Sequence, residues 1–548
     1  MDPQCYPISE LPGTTPLFRD FADHAAASHP AGLRRWYPSN PFSMDWASHS
    51  PNLDASHRGH LAEALRTQAE NFAAGEAVFA NIERLKQGAA AVVTGQQVVL
   101  FGGPLLTLLK AATAIRKAQD ATKASGREHV PIFWLATEDH DLAEVDQVAL
   151  LSKTEVETLS LGLKAPRPLP VGTLPVDGGN DEGLKHLEAT LNQASELLAW
   201  APISNVLREC YTPGATLASA FGRLLTKIFA EFGLIVMDAA ARDFHAMGAS
   251  VLQAALERAD ELEDALLVRS QDLEAAGYHA QVLVTADHSL LFLIDAETGA
   301  RLPLRRTAEG DWKAGTRVYA TAELLQILAT EPERLSPNAL LRPVFQDTIL
   351  PTAAYIGGPA EIAYFAQSEV LYSRILGRVT PVLPRLMATL VEPAIASTMA
   401  THEVQFPQVL EAKTVANLAL RLAARAMPVE GKRKIAAVGN SMDAELSALT
   451  EYMTAMSADL GRAAGVSASK MRYQMNRLRR MAANFELQKQ ASLQKHAEAI
   501  MLSLYPDGHL QERLLGGVWF LARYGDALPS LLVSHAAQEC PGHRVVFL

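Results

Sequence analysis

Cysteine is scarce in this chain. Only Cys5, Cys210 and Cys540 occur in 548 residues. They lie far apart and form no CxxC pair, so neither a disulfide framework nor a thiolate metal cluster is expected, which fits a reducing compartment. Long apolar runs are missing too, and nothing spans a bilayer. Met1-Asp-Pro-Gln-Cys-Tyr6 lacks the basic start and apolar stretch of a secretory signal. The expectation is a cytoplasmic protein with no membrane partner. Positive charge is in deficit, with 49 Lys and Arg against 60 Asp and Glu, a net charge of −11. Such a chain offers no field for a nucleic-acid backbone. What remains, 49% hydrophobic and 20% charged residues, is globular in composition and too long for one core.

The most informative segment runs from Val92 to Leu105. A β-branched run stops at Gly95, a short loop carries Gly102 and Gly103, and Pro104 opens a helix. Leu105, Leu108, Leu109, Ala112 and Ile115 share one face of that helix, as packing on a sheet requires. A strand–loop–helix of this kind presents free amides and a positive dipole end, a seat for phosphate. The spacing is neither GxGxxG nor a P-loop, so a plain tight turn competes with nucleotide binding.

Val130–Ala136 reads as a buried strand running into Thr137-Glu-Asp-His-Asp141. Ligands in open α/β sheets sit beyond the carboxyl ends of the strands, and ionisable groups packed there perturb one another. His140 is the first candidate for general base, with Glu138 and Asp139 as rivals. Asp139, His140 and Asp141 could share a divalent ion, but adjacent residues seldom all face one metal, so none is assigned. A solvated acidic helix start is the plainer reading. Tyr355-Ile-Gly-Gly-Pro-Ala-Glu361 repeats the grammar of the first loop. Glu361 falls in that helix's first turn, where it either interacts with the dipole or holds a substrate amine. Arg342 and Arg385 suit anions, since a guanidinium grips carboxylate in two places; an interdomain salt bridge is the alternative for each.

Strands alternating with helices imply an α/β core with a mainly parallel sheet over residues 1–400. Its portions are placed at about 89–151, 216–240 and 335–400, with insertions at about 152–215 and 250–334. The second insertion holds strands at Val282–Thr285 and Leu290–Ile294 and a hairpin turn at Glu297–Ala300. Residues 401–505 change character. Leu446, Leu449, Met453, Met456 and Leu460 follow heptad spacing, and Met471, Met475, Leu478, Ala482 and Phe485 form a second run. Acidic residues mark the first run and basic residues the second, which predicts an antiparallel coiled-coil hairpin turning near Gly461–Gly465. One helix unbroken through Gly465 is the other reading. Residues 506–548 are expected to pack back on the core.

Several segments together resemble the cysteine-adding enzymes of bacillithiol biosynthesis, the BshC family. They include Thr94-Gly-Gln-Gln97, Phe101-Gly-Gly-Pro104, Phe133-Trp134 and Glu138–Asp141. Leu335–Pro343, Gln346-Asp347, Ala354–Gln367, Pro384-Arg385, Tyr505-Pro506 and Gln511-Glu-Arg513 follow in the same order. The resemblance implies a Rossmann-like core akin to class I synthetases and a C-terminal coiled coil that forms a homodimer. It implies joining L-cysteine to glucosaminyl-malate through an amide, with ATP as a candidate activating cosubstrate. It places substrate or nucleotide contacts at Thr94, Gly95, Gln96, Gln97, Gly102, Gly103 and Asp141. Further contacts fall at Asn338, Arg342, Gln346, Tyr355, Gly357, Gly358, Glu361 and Arg385. Two synthetase features are missing: the first loop has no HIGH histidines, and no lysine-rich KMSKS loop has a convincing counterpart. The competing readings are another adenylate-forming or nucleotidyl-transferring enzyme, and a nucleotide-binding coiled-coil scaffold without turnover.

Overall fold

The computed structural model describes residues 4–25, 31–49, 51, 53–285, 288–537 and 540–548. They divide into an α/β unit, residues 4–388 with 512–544, and a helical unit, residues 389–511 with 545–548.

The α/β unit is built on five strands: β1 (Ala90–Gln97), β2 (His129–Ala136), β3 (Ile235–Asp238), β4 (Thr352–Gly357) and β5 (Val382–Pro384). Their spatial order is β5-β4-β1-β2-β3, and every neighbouring pair is parallel. Helices on both faces explain why these strands read as apolar runs rather than alternations. Helix α1 (Leu106–Ser125) follows β1, α2 (Arg242–Glu257) follows β3, and α3 (Pro359–Ile375) follows β4. The small side chains of Ala114, Ala118 and Ala121 let α1 lie close to Val92, Ile356 and Leu383. Chain order reverses between β1 and β4, which opens a crevice at their carboxyl ends.

Three expectations need correction here. Leu335–Pro337 pairs antiparallel with Leu291–Leu293. It completes an inserted sheet with strands His288–Ile294, Arg301–Arg306, Trp312–Ala314 and Arg317–Tyr319. The third core portion therefore resumes near Thr352, not 335; a short strand before a proline looks the same in either sheet. Val282–Thr285 forms no strand. Cys5 and Cys540 are joined as a disulfide with their Cα atoms 5.8 Å apart. A separation of 535 residues hides such a pair from any spacing rule.

In the helical unit, α4 (Val429–Met456) and α5 (Ala458–Lys489) form the hairpin. The turn is at Ser457, whose side chain accepts from the Asp459 amide, and not at Gly461–Gly465. Both glycines lie inside α5. A Cβ on Gly461 would press on Thr454 of α4, so this glycine serves close approach rather than a turn. Asp443 and Arg472 pair across the hairpin at 2.9 Å. Met475 is buried, whereas Leu449, Met456, Met471, Leu478 and Phe485 are more than half exposed. Helix Val415–Ala426 packs on α5 and on Ala491–Leu504. Pro393–Thr401 begins with proline like the core helices yet packs on Ala491–Leu504, so the division falls at 388/389 instead of 400. The second division lies at 511/512, and Glu512–Arg544 belongs to the α/β unit. Among the described residues no helix is long and apolar enough to cross a membrane.

Candidate active site

A cleft of about 730 Å³ opens at the carboxyl edge of the sheet within the α/β unit. Three turns at the sheet edge contribute to its wall. From the end of β1 come Gly95, Gln96 and Gln97; from the end of β2 come Glu138, Asp139 and His140; from the start of α3 come Gly358 and Glu361. Gly95 is required by its neighbour, since a Cβ there would lie 2.8 Å from the Trp134 carbonyl oxygen.

The turn after β2 is held by backbone. Val171 N donates to Asp139 O at 2.7 Å and Gly172 N to Thr137 O at 2.9 Å, so the first insertion fixes the acidic segment. Gln97 Nε2 donates to Asp139 Oδ2 at 2.9 Å, and the His140 amide donates to Asp139 Oδ1. His140 is half exposed, with Nδ1 3.7 Å from Asp139 Oδ1. Asp141 turns away from the cleft and caps the short helix Leu142–Val145. Among the described residues, no group of three His, Cys, Asp or Glu side chains converges as metal ligands.

The start of α3 carries an ion network. Glu361 accepts from the Gly358 amide at 2.7 Å, from the Tyr355 hydroxyl at 2.6 Å and from Lys110 Nζ at 2.5 Å. Burial alone would raise the Glu361 carboxyl, but the Lys110 charge overrides it and holds the group below its ordinary value. Burial pushes the Lys110 ammonium the other way, downward. Arg342 donates to the Gln346 amide oxygen at 3.1 Å and to the Tyr364 hydroxyl at 2.8 Å. Its plane lies over the Tyr355 ring, 5.3 Å from the centroid. Despite burial, which opposes its charge, Arg342 is held protonated by this surrounding.

The remaining expected residues fall as follows. Asn338 lines the cleft and caps the Leu340 and Leu341 amides. Gln346 is fully buried and lies behind Arg342. Thr94 donates to Ile356 O and ties β1 to β4 inside the sheet. Gly357 packs against Ile362 and Val382. Arg385 reaches the cleft, but its Nη atoms grip Glu512 at 2.7 and 2.9 Å in a buried pair. Its salt-bridge reading is therefore realised within one unit. Gly102 and Gly103 do not line the cleft. Leu105 N donates to Leu515 O, and Gly517 N donates to Gly103 O, so a segment of the chain itself covers the first helix start. The Gly358 amide is likewise taken, by Glu361. At each glycine-proline start, then, one amide is already taken.

Lys110 and Arg301 are among the cleft residues that escaped the sequence reading. Lys110, on α1, was marked only by being a cation among apolar neighbours one turn into a buried helix. Arg301 comes from the inserted sheet, lies 3.7 Å from the Phe292 ring centroid and donates to Ser336 Oγ and Pro337 O. Nothing in its local pattern pointed to the core.

A parallel sheet with its cleft at the strand-order reversal, lined by both signs of charge, defines a Rossmann-like α/β protein with a coiled-coil appendage. The N-terminal Rossmann-like domain described for bacillithiol biosynthesis BshC matches residues 1–386, and the C-terminal coiled-coil domain of the same description matches 388–548. The chain belongs to the BshC family. A protein of Koribacter versatilis named "Putative cysteine ligase BshC" is 41% identical over 548 residues, covering all of both chains. Proteins of the same name from Solibacter usitatus and Geobacillus kaustophilus are 35% and 29% identical, covering 99% and 90% of both chains.

Proposed function

We propose that this chain is a ligase of bacillithiol biosynthesis that joins the carboxyl group of L-cysteine to the amine of glucosaminyl-malate. The carrying observation is a single cleft in which Arg301 and Arg342 stand beside Glu138 and Asp139. Both substrates bear carboxylate and ammonium groups, and such a lining meets each with the opposite sign. Amide formation needs the amine as free base and the carboxylate activated. Glu138, Asp139 and His140 line the same cleft and are the candidates for proton acceptor. One amide at each helix start is already taken by the protein itself.

The test is direct. Purified protein is incubated with L-cysteine and glucosaminyl-malate, with and without ATP, and products are read by mass spectrometry. The expected result is a cysteine-dependent amide, with ATP dependence identifying the activator. ATP–pyrophosphate exchange driven by another acid, with no cysteine amide, would reassign the chain.

The exposed apolar residues of the hairpin support a second part of the proposal, association as a homodimer through α4 and α5. Replacing Leu449, Met453 and Met456 together by glutamate should give a monomer in sedimentation analysis. A well-folded dimer from that variant would place the interface elsewhere.

A further inference from the structure

His245 lies on α2 directly behind the acidic turn, with its side chain wholly buried. Its Nε2 is 3.0 Å from Oε1 of Glu138, whose own side chain is only 14% exposed. At that distance the two groups form an ion pair when the ring is protonated. Two features fix the ring. Phe345 packs at 5.3 Å between centroids, and Gly248, nearly one turn on, lets α2 ride close because a Cβ there would collide with Phe345.

The charges facing this pair are few. Asp238, at the end of β3, faces both His245 and Glu138, and its carboxyl is pushed up by burial. Arg301 of the inserted sheet faces Glu138 and Asp139. The backbone of Pro332 and Leu335 and the apolar Phe345 ring close the rest. Burial disfavours the imidazolium, yet the Glu138 charge outweighs it and holds His245 above its usual value.

We propose that His245 is a positioning residue whose buried positive charge keeps Glu138 a carboxylate, aimed into the cleft as the anchor for an ammonium-bearing substrate. This rests on the amide-forming reading for the identity of the amine. Without the imidazole, Glu138 would face Asp139 and Asp238 in a partly dehydrated place with only Arg301 as a neighbouring cation. The sign follows. Ammonium binding needs the carboxylate, so loss of the imidazole 3.0 Å away should weaken it most on the acid side.

The test titrates the full-length protein with glucosaminyl-malate by calorimetry between about pH 5 and pH 8, alongside the product assay. Glu138→Gln should bind at least about tenfold more weakly throughout, in line with loss of a charge-assisted contact. His245→Asn should match the native protein near pH 8 and fall progressively behind it toward pH 5. The N-acetylated ligand, which lacks the cation, should be insensitive to both substitutions. An equal loss at every pH in a folded His245→Asn protein, or no loss at any pH, would overturn the proposal. His245→Gln serves if the asparagine variant fails to fold. If neither folds, Glu138→Gln decides, since unchanged affinity for the free amine would refute the anchor. Binding that behaves as expected without product formation would count against the amide reading alone, and product formation with binding indifferent to Glu138 would count against the anchor alone.

Discussion

Phe101–Pro104 and Tyr355–Pro359 are written alike, each an apolar run, two glycines and a proline that opens a helix. The molecule finishes them differently. At the first, Phe101, Gly102 and Gly103 all take positive φ, and the 515–517 segment satisfies the helix start with backbone. At the second, Gly358 has φ −83°, and a side chain, Glu361, takes the amide and brings Lys110 and Tyr355 with it. The first start is sealed, and the second stands at the rim of the cleft. Free amides at a helix start therefore mark a need for acceptors and not an address for a ligand. What decides is which acceptor arrives, and long-range topology sets that.

Substitutions can break this contrast. The largest effect is expected from Lys110→Met. It leaves the buried Glu361 charge without its cation, and loss of one partner of such a pair costs about 3 kcal/mol or more. Chemical denaturation would show it as a lowered midpoint. The pH dependence sharpens the point. A carboxyl held low in the fold gives stability above its unfolded value of about 4.3 and loses it as pH falls through the folded value. Native protein should lose this contribution only below about pH 4, whereas in Lys110→Met burial lifts the Glu361 carboxyl above its unfolded value, so that variant should regain stability as pH falls from neutral toward about 4.

Gly103→Ala comes next. It places a Cβ 2.9 Å from Val99 at φ +68°, and left-handed strain with overpacking costs about 1–3 kcal/mol. Its folded fraction should bind glucosaminyl-malate like the native protein. Gly358→Ala should do the reverse. Its Cβ meets only Glu361 Oε2 at 3.4 Å and Arg385 Nε at 3.5 Å. Stability should change by less than about 0.5 kcal/mol, while calorimetry should register altered affinity. A Gly103→Ala protein that is stable but cannot bind would erase the distinction.

The parts legible from sequence were those dictated locally. β1, β2, β3 and β4 announced themselves as apolar runs ending in glycine or a carboxylate, and the heptads announced two long helices. The acidic turn could be assigned to a sheet edge because its strand runs straight into it. What stayed hidden depended on distance. Arg385 could be read as an anion ligand only while Glu512, its partner, lay 127 residues away. Lys110 and His245 sit about one turn into their helices, where a lone ionisable residue has no local signature. The hairpin turn was misplaced because Gly461 suggested a break, when the interhelical contact with Thr454 requires the glycine and Ser457 makes the turn.

The central claim is that this cleft makes the last bond of bacillithiol, and thiol profiling by mass spectrometry in cells lacking the gene tests it most directly. The account predicts that bacillithiol disappears and glucosaminyl-malate accumulates. Complementation with the native chain should restore the thiol, and Glu138→Gln should restore at most about a hundredth of it. Normal bacillithiol in the deletion strain, with no second copy of the gene, would contradict the account.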